Sequence, residues 1–179
     1  MTSKDREQLE NFSKCLGYAF TIGTKRSGAL NQSYRIQFKN IFFYNFLLSV
    51  GLAPTKSKTI GALKIPPGYF FDFLRGVFDG DGSIYSYFDP RWKSSFMFYM
   101  SFVSASPDHV AWLQEQVAEQ LDIYGHVTKN QKSTLFQLKY AKADSLKILR
   151  KMYRQKGTIC LSRKKLKIEK ILRIVGERL

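Results

Sequence analysis

Apolar residues recur along this chain with two rhythms, one close to a helical turn and one strictly alternating, and the switches between them mark out the elements. Over Ser3 to Leu16, Leu9, Phe12 and Leu16 fall at helical spacing behind an early serine and acidic residues, which predicts a helix. Beyond Gly17, alternation over Tyr18 to Lys25 and Gln32 to Lys39, across the turn-rich Arg26-Ser27-Gly28-Ala29, predicts a hairpin. An apolar helix over Ile41 to Val50 is stopped by Gly51. Pro66-Pro67 then leads into a helix over Tyr69 to Phe78, followed by strands Ser83 to Phe88 and Ser95 to Ser104 joined through Asp89-Pro90-Arg91. Ser106-Pro107-Asp108 opens a helix through Leu121. Strands over Ile123 to Lys129 and Thr134 to Tyr140 flank the turn Asn130-Gln131-Lys132, and a helix runs on to Met152.

The order of elements in the first 65 residues recurs about a hundred residues later, so an internal duplication is expected. Tyr34-Arg35-Ile36-Gln37-Phe38 aligns with Phe136-Gln137-Leu138-Lys139-Tyr140, and Lys56-Ser57-Lys58 is echoed by Ser162-Arg163-Lys164-Lys165. Residues 66–179 then read as a complete αββαββα unit with a C-terminal helix. Residues 1–65 read as an incomplete αββα unit that starts at the element matching Ser106. Either the chain is a fragment of a longer protein, or something else substitutes for the missing helix and hairpin.

Composition narrows the function. At 179 residues with 44% apolar side chains, the chain can fill a core without staples. Its 29 Lys and Arg against 14 Asp and Glu leave +15, which points to a polyanionic partner, and 15% aromatic residues argue for a folded module rather than a basic tail. Cys15 and Cys160 stand far apart without metal-ligand spacing and are expected to be reduced, buried thiols. No apolar run approaches the roughly 20 residues of a membrane span, and the start is polar rather than signal-like. A soluble intracellular protein of cytoplasm, nucleoid or organelle matrix is the expectation, without a membrane partner.

The candidate chemistry lies in Leu74-Arg75-Gly76-Val77-Phe78-Asp79-Gly80-Asp81-Gly82-Ser83-Ile84. Gly76 and Gly80, four apart, clear one helical face for close approach of another helix backbone. Asp79 and Asp81 sit at the C-terminal end, where the helix dipole disfavours negative charge unless a cation compensates. An isolated D-G-D-G would be read as a helix stop running into turns. With its flanking glycines, the repeat and the basic charge, this stretch resembles the LAGLIDADG signature of homing endonucleases.

The resemblance implies an α+β saddle in which a curved antiparallel sheet grips DNA with helices behind it, pseudo-duplicated here with a truncated first half. It implies sequence-specific, metal-dependent cleavage of double-stranded DNA, as in intron- or intein-linked homing. Asp81 would bind the metal with help from the Gly80 carbonyl, and Asp79 would support the helix end. The metal would be Mg²⁺, or another hard divalent cation such as Mn²⁺, or Ca²⁺ bound non-productively. Lys56, Lys58, Arg163 and Lys164 would stand near the scissile phosphates. Gly76, Gly80 and Asp79 would form the helix interface of a homodimer or of a pairing with a second LAGLIDADG half. A non-cleaving relative, a DNA- or RNA-binding maturase or regulator, stays open as the alternative.

Strand parity sorts the remaining candidates. Phe96, Phe98, Met100 and Phe102, Tyr34, Ile36 and Phe38, and Phe136, Leu138 and Tyr140 form the core rows. The opposite rows and their flanks offer Thr21, Lys25, Arg35, Gln37, Lys39, Tyr85, Tyr87, Tyr99, His126, Thr128, Gln137 and Lys139 to DNA. His109 is expected on a helix surface, with no chemistry attached.

Overall fold

The computed structural model describes residues 1–27, 31–54, 56–92, 94–129 and 134–179, apart from the side chains of Ser27, Asn31 and Lys56. Its elements in chain order are β1 (Thr2–Ser3), α1 (Arg6–Leu16), β2 (Gly23–Ser27), β3 (Asn31–Arg35), α2 (Ile41–Ser49), α3 (Phe70–Asp81), β4 (Ser83–Phe88), β5 (Phe96–Ser104), α4 (Pro107–Leu121), β6 (His126–Lys129), β7 (Phe136–Tyr140), α5 (Lys142–Met152) and α6 (Ser162–Ile174). Short 3-10 turns at Lys56–Lys58 and Pro67–Tyr69 precede α3. The class is α+β: from α3 onward the order is αββαββα followed by α6, and both sheets are antiparallel.

Helix α3 forms where Pro67 starts the turn and Phe70, Phe71, Leu74 and Phe78 repeat at helical spacing on one buried face. Phe70, Leu74 and Phe78 are fully buried, each contributing about 1.5–3 kcal/mol of apolar transfer free energy. The helix stops at Gly82, where a Cβ would stand 2.5 Å from the Phe78 ring and 2.6 Å from its Cα, so only glycine lets the chain turn into β4. In the second sheet, of order β4-β5-β7-β6, Phe96, Phe98, Met100 and Phe102 of β5 and Leu138 and Tyr140 of β7 point into the core beneath α3, α4 and α5. Where β5 and β7 part, Ser145 of α5 donates to the Tyr140 carbonyl at 2.8 Å and accepts from the Met100 N–H at 3.2 Å. That hydroxyl satisfies backbone groups that burial would otherwise strand.

The first sheet, of order β1-β3-β2, is smaller, and the contiguous core lies from Leu63 onward. Ahead of Leu63, Leu9 and Ile36 are the buried apolar side chains among the described residues. The hairpin differs from the sequence expectation: Tyr18 to Ile22 and Gln37 to Lys39 are outside any strand, and Gly28 and Ala29 of the expected turn lie outside the described residues. The β3 ladder reaches Ile36, which exchanges backbone hydrogen bonds with Met1, and no further partner follows among the described residues. Tyr18, Phe20 and Phe38 gather instead with Phe12 and Phe43 in an aromatic cluster, with the Phe20 and Phe38 rings 4.5 Å apart. Phe38 is accordingly 39% exposed rather than core. The expected turn at Asn130-Gln131-Lys132 also lies outside the described residues.

Candidate nucleic-acid interface and metal-binding end

Asp79, Gly80 and Asp81 form the last turn of α3, and their environments differ sharply. Asp79 is buried, and its Oδ2 accepts the Leu161 N–H at 2.9 Å, closing the approach to α6. Burial raises its carboxyl above the usual range, against the Leu161 hydrogen bond and the attraction of Lys164 and Arg75. Asp81 is exposed at the end of the same helix. It borders a groove of about 580 Å³ that also takes in Gly76, Val77 and Gly80 of α3, Leu52, Ile60 and Leu63 from the preceding segment, and Ser57 of the basic turn.

Lys164 is buried at the N-terminal end of α6, directly against this turn. Its Nζ donates to the carbonyls of Phe78 and of Gly82, the latter at 2.7 Å, lies 3.5 Å from the Gly80 carbonyl and sits 5.0 Å from the Phe78 ring centre. The ammonium therefore answers the negative end of the α3 dipole with charge-assisted hydrogen bonds. Burial, then repulsion from Arg163, lowers its pKa, opposed by Asp79 and Asp81. Arg163 points elsewhere, forking onto the Asp5 carboxylate at 2.5 to 3.1 Å and holding Asp5 below its usual range. Beside it, Glu7 accepts from the Ser162 N–H at 3.0 Å and from its hydroxyl, and Asn11 donates to the Cys160 carbonyl at 2.8 Å. Thus α1 is fastened to the start of α6 through Asp5, Glu7 and Asn11. Sequence reasoning missed all three because their partners lie some 150 positions away.

Lys58 is exposed in the turn that brings Ser57 to the groove, and the Lys56 side chain lies outside the described residues. Gly76 faces open space, with nothing within 4 Å of where a Cβ would stand, whereas Gln8 Nε2 of α1 would lie 3.8 Å from a Cβ at Gly80. His109 is a correction. It is 6% exposed, stacks on Trp112 with ring centres 5.3 Å apart and places Nδ1 3.1 Å from the Gly61 carbonyl, because the segment carrying Gly61 packs over this face of α4. The thiols are a second correction: Cys15 is exposed and Cys160 half-buried, both free, since the α1 face carrying Cys15 meets solvent.

On the open face of the second sheet the register brings the candidates together. Tyr85 pairs with Tyr99, their rings stacked 5.4 Å apart, and Tyr87 also stacks on Tyr99 at 6.2 Å. Lys139 stands between Ser101 and His126, and Gln137 between Val103 and Thr128. Ser83 and Ser101, linked at 2.8 Å between hydroxyls, fall on the same side of the sheet by register, but Ser101 is fully buried there and only Ser83 is exposed. In the first sheet Lys25 and Arg35 share a face through the pairs Lys25–Ser33 and Gly23–Arg35, and both are exposed. Thr21, Gln37 and Lys39 are exposed but off the strands, so they do not join that row.

The fold is that of LAGLIDADG proteins, as three likenesses to solved structures show. The meganuclease I-SmaMI bound to an uncleaved DNA target with calcium ions superposes with a TM-score of 0.58 at 14% identity, covering 94% of this chain and 76% of that one. Full-length WhiA from Thermatoga maritima gives 0.55 at 18% identity over 96% of this chain and 48% of its own length. Mesophilic variants of the homing endonuclease I-DmoI give 0.54 at 11% identity over 87% of this chain and 79% of theirs. No family model and no curated protein matches the sequence. No helix among the described residues is long and apolar enough to cross a membrane.

Proposed function

We propose that the chain binds duplex DNA on the open faces of its sheets and carries, in Asp81, one acidic half of a metal-dependent phosphodiester-cleaving site of the homing-endonuclease kind. The observation that carries this reading is the split within one helical turn: Asp79 is buried and used by Leu161, whereas Asp81 is exposed beside the groove. The +15 charge and the row Lys139, His126, Gln137 and Thr128 supply phosphate attraction and groove-facing donors and acceptors. The DNA-bound state of I-SmaMI and its calcium ions suggest the same ligands for this chain.

The residues suit a hard divalent cation of the Mg²⁺ type that takes one carboxylate from protein and its other oxygens from phosphate and water. When bound, such an ion would polarise a phosphate and lower the pKa of a ligated water. Asp81 supplies the hard anionic donor, and the Gly80 carbonyl is the adjacent oxygen, shared with Lys164. Lys164 holds the turn in place and compensates the helix end, while Arg163 is engaged by Asp5 and stiffens the contact between α1 and α6. Intron- or intein-linked homing would be the setting of such an activity.

A second reading, a non-cleaving DNA-binding relative, is favoured by a specific observation: among the described residues lining the groove Asp81 is the single carboxylate, whereas cutting both strands of a duplex takes an acid at each scissile phosphate. Nicking of supercoiled plasmid libraries with Mg²⁺ or Mn²⁺, alongside binding assays, tests the two. Metal-dependent nicking that Asp81→Asn abolishes, with DNA affinity changed less than about threefold, supports the first reading. Tight binding without any metal-dependent cut by the parent leaves the second.

A further inference from the structure

Strand β5 changes neighbours along its length. Residues 100–104 pair with β7 and residues 96–101 with β4, so beyond Met100 the sheet narrows to a two-stranded ribbon of residues 85–88 and 96–99. The turn at its tip is held by its own backbone: the Asp89 N–H donates to the Ser95 carbonyl at 2.8 Å, the Trp92 N–H to the Asp89 carbonyl at 3.1 Å and the Ser95 N–H to the Trp92 carbonyl at 2.7 Å. Arg91, whose N–H donates to the Asp89 carboxylate, lays its guanidinium on the same carboxylate at 3.2 Å. The charge of that cation is answered within the turn, and the Trp92 side chain beside it is left 69% exposed.

The two faces of the ribbon differ. Phe96 and Phe98 are buried on the core side, where the Lys142 ammonium lies 3.4 Å from the Phe96 carbonyl. On the open side Tyr85 stands opposite Tyr99 and Tyr87 opposite Met97. The Tyr85 and Tyr87 rings lie within 14° and 5° of parallel to the Tyr99 ring, and these two tyrosines are 38% and 41% exposed. Cross-strand stacking steadies a hairpin, but it does not require three tyrosines and a tryptophan on a surface that water reaches. None of the four open positions carries a carboxamide, a carboxylate or a cation; the groove-reading side chains Gln137, Lys139 and His126 stand on β7 and β6 instead.

We propose that this ribbon is a stacking platform for the unpaired bases of a single-stranded nucleic acid, with Tyr85, Tyr87, Tyr99 and Trp92 meeting base faces and Lys139 meeting the strand's phosphates. A duplex keeps its base faces within its own stack and offers edges and phosphates, which call for donors, acceptors and cations. An aromatic surface matches instead the π-faces that an unpaired base exposes, and every base has one. Lys139, paired with Ser101, lies one step along the open side from the Tyr85–Tyr99 pair and supplies the cation that such a platform sets beside the strand. None of these side chains lines the groove at Asp81, so the platform stands whether or not the chain cuts duplex DNA.

The chain carries its own reporter, because Trp92 is exposed and the other tryptophan, Trp112, is 8% exposed. Titration of the full chain with oligothymidine, or with oligouridine as its ribose counterpart, should quench the Trp92 emission without any metal, and the tighter of the two identifies the strand. A strand of abasic sites, equal in phosphates, should leave the emission unchanged. Tyr87→Leu with Tyr99→Leu should weaken oligothymidine binding by about tenfold or more, and Tyr87→Phe with Tyr99→Phe should keep it. Duplex DNA should bind the leucine variant within about threefold of the parent, since its phosphates are met elsewhere. Equal quenching by the abasic strand, or by a duplex of the same length, would overturn the proposal, because the ribbon would then meet phosphates or a groove. So would a leucine variant that melts lower than the parent yet binds oligothymidine equally well, for the tyrosines would then only brace the hairpin. Cleavage enters none of these readouts, so failure here and failure to cut duplex DNA remain separate results.

Discussion

Two carboxylates two positions apart, Asp79 and Asp81, end with opposite fates, because a helix turns about 100° per residue and rotates alternate side chains well away from each other. Asp79 turns toward α6 and Asp81 toward solvent. The Asp79 carboxyl is raised by burial, so the folded chain holds a proton there that the unfolded chain releases at the ordinary carboxylate pKa of 3.8. Between that value and the folded one, stability falls as pH rises, and below 3.8 the difference vanishes. Asp79→Asn keeps an acceptor for Leu161 and removes the charge; its denaturation midpoint should match or exceed the parent's near neutral pH and lose this acid-range slope. Asp79→Ala leaves the Leu161 N–H without its acceptor and should cost about 1–3 kcal/mol in urea denaturation.

At the scale of elements, the junction of α3 with α6 depends on Lys164, which gathers carbonyls from a helix end that would otherwise strand them. Lys164→Met fills the space but donates nothing, so the Phe78 and Gly82 carbonyls become buried without a partner. A loss of about 1–3 kcal/mol is expected, read by thermal unfolding, with exchange at the start of α6 rising together with that of the last turn of α3. If Lys164→Met were as stable as the parent, the ammonium would not be what holds the two ends together. The same substitution should also weaken any Asp81-dependent cleavage, because it loosens the turn that positions that carboxylate.

Across the whole molecule the charge is the dominant field, +15 on a chain of 179 residues. Neutralising DNA phosphates releases counterions, so affinity should fall steeply with salt; for about 6–10 phosphate contacts the loss between 50 and 200 mM is about 10³–10⁵-fold. Fluorescence anisotropy on duplex DNA at several salt concentrations measures the slope. Affinity independent of salt would contradict duplex binding through the basic faces. A charge-reversing pair at Lys139 and Arg35 should lessen the slope, since these stand exposed or half-exposed on the open faces of the two sheets.

The strands β4 and β5, the helix α4 and the motif helix α3 were legible in the sequence, because period-two alternation at Phe96 to Phe102 and helical spacing at Phe70 to Phe78 are imposed locally by backbone geometry. For the same reason parity placed Tyr85, Tyr87, Tyr99, Gln137 and Lys139 on one face before any packing was known. What packing decided lies where partners are distant in the chain. Lys164 became a buried cap on α3, Asp79 a buried acceptor for Leu161, and His109 a buried ring against Gly61 and Trp112. Tyr18, Phe20 and Phe38 left their alternating runs because the ladder beyond Ile36 has no partner among the described residues, and aromatic contact with Phe12 and Phe43 took its place. Alternation specifies which side of a strand is apolar, but a strand also needs a neighbour to hydrogen-bond, and only the folded chain supplies or withholds one.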